Sequence, residues 1–187
     1  MSKYPNTLGR IEAVWDKLGG EDGVQRFLAG TVEVVIKDHI ILGNADPFVP
    51  SGWEVEKHQK SGDLKLTRDG DDLYLDGKKI EFFLSPNQQC DKVIKGDKLR
   101  KELEGKPVLN ANVLDYLLAH PDLIPDSWKV DDQGRTRYLL FWGTVYRSPG
   151  GRLCVRFLSW DGGGWDWDGY WLDDGCLSDL PAALLAS

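Results

Sequence analysis

Beyond Arg156 the chain has no lysine and no arginine, although residues 157–187 remain. Asp161, Asp166, Asp168, Asp173, Asp174 and Asp179 stand there instead, so most of the formal charge of −7 belongs to that end. Such an end repels phosphate backbones, which disfavours nucleic acid as a partner. No apolar run approaches the ~20 residues that a transmembrane helix requires, so no membrane role is expected. No apolar signal core follows Met1-Ser2-Lys3-Tyr4-Pro5-Asn6, which argues against secretion by that route. The three cysteines, Cys90, Cys154 and Cys176, lack CxxC spacing. They read as free thiols in a reducing compartment, and a cytoplasmic location is expected. His39, His58 and His120 are too scattered for an HxxxH-type site, so no metal is expected. GxSxG, GxxxxGK[ST] and a helix-opening GxGxxG are all missing, which leaves no nucleophile elbow and no cofactor signature.

Hydrophobic residues make up 41% of the 187, enough for one sizeable core or two small ones. Asn6 or Thr7 can cap a helix from Leu8, with Leu8, Ile11, Trp15 and Leu18 on one face and Gly19-Gly20 ending it. A second helix fits Glu21 to Ala29. Read as a helix-turn-helix, it offers only Gln25 and Arg26 to bases, which is little for DNA recognition. Strands are expected at Thr31–Ile36 and Ile40–Leu42. The loop at residues 46–52 is the candidate seam within a single domain spanning residues 1–187. After it, Leu64–Leu66, Leu73–Leu75 and Ile80–Leu84 form a meander around two Asp-Gly turns. Those turns lack the DxDxDG spacing and distal Glu of a calcium loop. Further helices are expected at Asp97–Glu104 and Asn112–Ala119, the latter with a core stripe of Val113, Leu114, Leu117 and Leu118. Residues 92–106 carry six cations against three acids, which reads as a solvated helix face.

The last third reads as an antiparallel sheet of Tyr138–Arg147, Arg152–Trp160 and Trp165–Leu172. Two four-residue turns connect these strands, Ser148–Gly151 and Asp161–Gly164. Counting back from the turns sets Arg147 opposite Arg152 and Trp160 opposite Trp165. Arg156 then sits between Gly143 and Gly169. Its face carries Trp160, Trp165, Trp167 and Trp171. Glycine in a strand often marks a close approach by a ligand or another backbone. A guanidinium ringed by indoles suits a planar or sugar-like ligand bearing a carboxylate or phosphate. The structural alternative is that Arg156 stacks on Trp167 and Trp165 and pairs with an acid from a covering element, the glycines merely admitting that element. A one-residue bulge in either hairpin breaks the count.

Asp166 and Asp168, two positions apart beside tryptophans, are the candidates for a paired-carboxylate hydrolase. Nothing in the sequence raises the pKa of either, and acids beside glycine turns are commonly just solvated.

Three segments carry a family resemblance. They are Trp15-Asp16-Lys17-Leu18-Gly19-Gly20, the run Leu109–Leu118 with Leu123-Ile124-Pro125 and Trp128, and Phe141–Arg147 followed by Val155-Arg156 and the Trp-rich end. In these the chain resembles a set of small hypothetical proteins recurring in candidate-phyla bacteria, for which no activity, fold or site is established. The resemblance implies a bacterial cytoplasmic protein and carries over no catalytic residue.

The expectation is therefore an α+β chain with a C-terminal antiparallel sheet, helices on it, and an N-terminal helical pair plus strand. Its expected role is a non-enzymatic binding or interaction protein using the Arg156/Trp face, with a small anionic or sugar-like ligand or a protein partner and no cofactor. A hydrolase acting on a sugar or phosphoester through Asp166 or Asp168 is one alternative, and a structural or assembly protein the other.

Overall fold

The computed structural model describes residues 15, 18–31, 38–90 and 92–186. The chain divides into two units, residues 1–37 and 38–187, and the loop at 46–52 lies inside the second. In the first unit, helix α1 (Gly20–Leu28) follows Gly19, whose φ of +86° is left-handed backbone that glycine adopts without strain. Gln25 Nε2 donates to Glu21 Oε1 one turn earlier, at 2.9 Å. The strand expected at Thr31–Ile36 and most of the helix before Gly19 lie outside the described residues.

The second unit is built on a ten-stranded sheet, and the chain is α+β in class. β1 (His39–Leu42), β3 (Asp63–Asp69), β4 (Asp72–Leu75) and β5 (Lys78–Phe83) make an antiparallel run. The β4–β5 turn is Asp76-Gly77 with both φ positive (50° and 75°), the backbone that a two-residue hairpin favours. β12 (Ala182–Leu185) extends this run and pairs in parallel with β7 (Leu139–Leu140). β7 and β8 (Thr144–Arg147) both pair with β9 (Leu153–Trp160), and β10 (Trp165–Trp171) lies on the other side of β9. β2 (Glu54–His58) covers β8. A two-stranded ribbon of β6 (Ile94–Lys95) and β11 (Gly175–Cys176) stands apart.

Helices cover both faces at the centre of this sheet, which explains why β7, β8 and β12 are buried on both sides. α3 (Ala111–Ala119) buries Val113, Leu114 and Leu117 against Ile41, Leu75, Leu139 and Leu158. Ile124 and Trp128, from the loop after it, join that core. α2 (Gly96–Glu102) buries Leu99 on the opposite face with Trp142, Val145, Val155 and Leu172. Each such side chain contributes roughly 1.5–3 kcal/mol by leaving water. Asn110 caps α3, its side-chain oxygen accepting from Asn112 N at 3.1 Å and Val113 N at 3.4 Å.

The strand expected over Tyr138–Arg147 is broken. β7 sets Leu140 opposite Phe157, whereas β8 sets Tyr146 opposite Cys154, and residues 141–143 lie between the two registers. The sheet forks there, with β12 continuing from β7 and β2 from β8. The segment before α3 fills the fork. Leu109 N donates to Ala183 O at 3.0 Å, and Gly143 N donates to Leu109 O at 2.8 Å.

The turn into β9 adds a second departure. Gly151 N donates to Ser148 O and takes φ +79°, and Ser148 N donates to Arg152 O, so a glycine bulge follows the turn. Arg147 consequently faces Leu153 and not Arg152. A one-residue slip exchanges the faces. Tyr146 joins the Arg156 face, with Cys154 and Trp171, and Val145 joins the α2 face. The expected pairing of Gly143 with Arg156 is thereby corrected: Phe141 N donates to Arg156 O at that point. On the other side the count holds, with Trp160 opposite Trp165 and Gly169 opposite Arg156.

Candidate functional site

Arg156 is 1% exposed in the centre of β9. Its Cζ lies 3.9 Å from the centroid of Trp167 and 5.3 Å from that of Phe48. Nη2 lies 2.8 Å from Asp115 Oδ1 on the covering helix α3, whose side chain is 32% exposed. This contact is an ion pair short of hydrogen-bond alignment. None of the three guanidinium nitrogens meets an aligned acceptor among the described residues. Tyr146 lies on the same face and donates to Phe48 O at 3.0 Å. Burial pushes its hydroxyl up to about 12, while Arg156 pulls it the other way.

The glycines near Arg156 admit protein. A Cβ on Gly169 would stand 2.6 Å from Trp53 Cη2. A Cβ on Gly143 would stand 2.8 Å from Asn110 N and 2.9 Å from its Cα. The recess expected over Arg156 is thus filled by Trp53, Phe48 and α3. The tryptophans are engaged in the same way. Lys129 Nζ sits 3.9 Å over Trp160, Trp160 and Trp165 meet edge to face at 5.7 Å, and Arg152 Cζ lies 4.6 Å over Trp171.

Asp166 and Asp168 are exposed on β10, each accepting from the next backbone amide, Trp167 N at 2.7 Å and Gly169 N at 2.6 Å. Leu172 N donates to Leu153 O, so even-numbered amides of β10 point at β9 and odd-numbered ones point outward. The two carboxylates therefore accept from outward amides of a strand whose outer edge pairs with no other described strand, an arrangement that suits edge protection.

An open concave site lies on the α2 face. Its volume is about 750 Å³, within the range of small-molecule sites. α2 contributes Arg100 and Lys101, the following turn Lys106, and β2 contributes Lys57. Trp142 and Val145 line it from the sheet. None of Lys57, Arg100 and Lys101 has an ion-pair partner among the described residues, whereas Lys106 Nζ rests 4.8 Å over Phe83. Trp142 is 5% exposed, and its Nε1–H is buried without an acceptor among the described residues. A buried donor left unpaired costs roughly 1–3 kcal/mol until something accepts from it.

Sequence reasoning missed this cleft. It placed Arg100, Lys101 and Lys106 on a solvated helix face and gave Lys57 no element. What joins them is the fork: β2 follows β8 away from β12, and the Gly105–Val108 turn crosses between. The Glu-Val-Glu-Lys-His sequence of β2 has one apolar residue and no strand signal beyond it.

Two of the three histidines, His39 and His120, gather in a way their spacing hides. His39 Nδ1 lies 3.0 Å from Tyr116 Oη, and the His120 ring stacks on Tyr116 at 4.2 Å. Among the described residues no three or more His, Cys, Asp or Glu side chains converge as metal ligands, and no helix is long and apolar enough to cross a membrane. No protein-family model, curated protein or solved structure matches the chain.

Proposed function

We propose that this chain is a non-enzymatic binding protein and that its ligand enters the α2 cleft, not the Arg156/Trp face. The single observation carrying this reading is an open cavity lined by three cations from two separate elements, none with an ion-pair partner among the described residues. Arg100 and Lys101 also complement the C-terminal end of α2. Lys57 has no such use, because it lies on β2. The ligand is anionic and small. A chain of net charge −7 with an acidic end repels extended polyanions, so a nucleic acid is disfavoured and a compact anion fits.

Titration with 8-anilinonaphthalene-1-sulfonate, an aromatic sulfonate, tests the reading. Saturable binding with energy transfer from tryptophan is expected. Replacing Lys57, Arg100 and Lys101 together by Gln should abolish it while the circular-dichroism spectrum stays native. No saturable binding, or unchanged binding by a folded triple variant, overturns the proposal.

A further inference from the structure

Resting on that anion-binding reading, we infer that the occupant of the α2 cleft is a phosphate monoester carried on a hydroxyl-bearing group of sugar or nucleoside size. The charge balance within the cleft points to it. Lys57, Arg100, Lys101 and Lys106 line the same cavity as Asp97 and Glu104. Four cations against two acids leave an excess of +2, which a phosphate monoester of about −1.5 to −2 matches. A carboxylate of −1 would leave cationic charge uncompensated. Arg100 offers a planar fork of donors for two phosphate oxygens, and the lysines act as point charges beside it.

The two acids decide what the phosphate is attached to. Asp97 and Glu104 are exposed and have no ion-pair or hydrogen-bond partner on their side chains among the described residues. A carboxylate is acceptor-only, so beside an anion it recognises the hydroxyls of the same ligand and repels a second phosphate. Trp142 and Val145 form the apolar floor of the cleft. A volume of about 750 Å³ accommodates a ligand of this size, where bare phosphate would fill only a corner.

The test is displacement of bound 8-anilinonaphthalene-1-sulfonate by ribose 5-phosphate, adenosine 5′-monophosphate, inorganic phosphate, ribose and benzoate. Both phosphate monoesters should displace the dye, with inorganic phosphate at least roughly tenfold weaker and ribose inactive. Asp97→Asn with Glu104→Gln should tighten inorganic phosphate, since two negative charges leave the cleft, and should shrink or abolish the preference for ribose 5-phosphate over it. If the dye binds but benzoate or inorganic phosphate displaces it as well as the phosphate monoesters do, the ligand class is wrong and the cleft stands. If the dye itself fails to bind, the underlying reading falls first.

Discussion

The indole of Trp53 stands where a side chain at Gly169 would be, with Cη2 2.6 Å from the position of its missing Cβ. Gly169 faces Arg156 across β9 and β10, so a glycine beside a buried guanidinium serves to seat a ring of the protein itself. Trp53 also meets Tyr146 at 5.9 Å and Trp171 at 6.0 Å, which fixes the ring from two further sides. Gly169→Ala should destabilise the protein by roughly 1–3 kcal/mol in chemical denaturation. Gly143→Ala should cost more, because its Cβ meets the Asn110 backbone, which cannot move without breaking the α3 cap. The reverse ranking would show that Trp53 is more constrained than Asn110.

Arg156 and Asp115 form a pair with one buried and one half-exposed member. Removing the acid leaves a charge in the core, so Asp115→Ala should lose about 3–5 kcal/mol. Arg156→Met keeps the volume and removes the charge, and should be tolerated better than Asp115→Ala. In the double variant the loss should fall well short of the sum of the singles. Additive losses measured by urea denaturation would mean that the two groups do not act as a pair.

How far this was legible depends on the turns. The Asp161–Gly164 turn closes as its length implies, so the β9–β10 register and the place of Gly169 follow by counting. Ser148–Gly151 does not, because Gly151 bulges in a left-handed conformation and moves Tyr146 to the other face. Two adjacent glycines permit either geometry, and nothing local selects one. β12 was also hidden. Pro-Ala-Ala-Leu-Leu-Ala has helix-forming composition, yet Ala182 and Ala183 are fully buried between β5 and β7, where only small side chains fit. The structural alternative for Arg156 was stated from sequence, but its acid, Asp115, lies on a helix whose placement depends on Asn110 and the fork. The cleft needed β2, the fork and α2 together, and no single segment announces it.

The outward amides of β10 lead to a prediction about solubility. Asp166 and Asp168 occupy the amides of Trp167 and Gly169 and place negative charge along an edge that pairs with no described strand. Replacing both by Val leaves these donors bare on a tryptophan-rich strand, a template for pairing with another chain. The double variant should form large species by light scattering at concentrations where the parent does not. If it stays as dispersed as the parent, the carboxylates are not protecting the edge.

His58 makes the stability pH-dependent. Burial, then the nearby Lys60 charge, hold its pKa below the ordinary 6.5. Its Nδ1 lies 2.8 Å from Thr144 Oγ1, itself the acceptor for Ala111 N at the start of α3. A depressed histidine favours the neutral ring in the folded state, so its contribution is present above pH 6.5 and is lost as pH falls through the folded value. Stability should begin to drop as pH falls below the ordinary histidine value of 6.5, before most carboxylates titrate. His58→Gln should flatten that part of the profile. A profile with the same slope in the variant would assign the loss to other groups.

The cysteines separate by burial. Cys154 lies inside β9 and Cys176 inside β11, both fully buried, and burial pushes each thiol up to about 12. A thiolate is the reacting species, so neither should react at neutral pH while the fold is intact. Cys90 is exposed on a loop with φ +55°. Labelling with a chromogenic disulfide should therefore modify one thiol in the native protein and all three in denaturant. The slow native phase of Cys154 then reports opening of the central sheet, since reagent reaches it only when β8, β9 and β10 part. Fast labelling of more than one cysteine in native buffer would mean that this region opens far more readily than its burial implies.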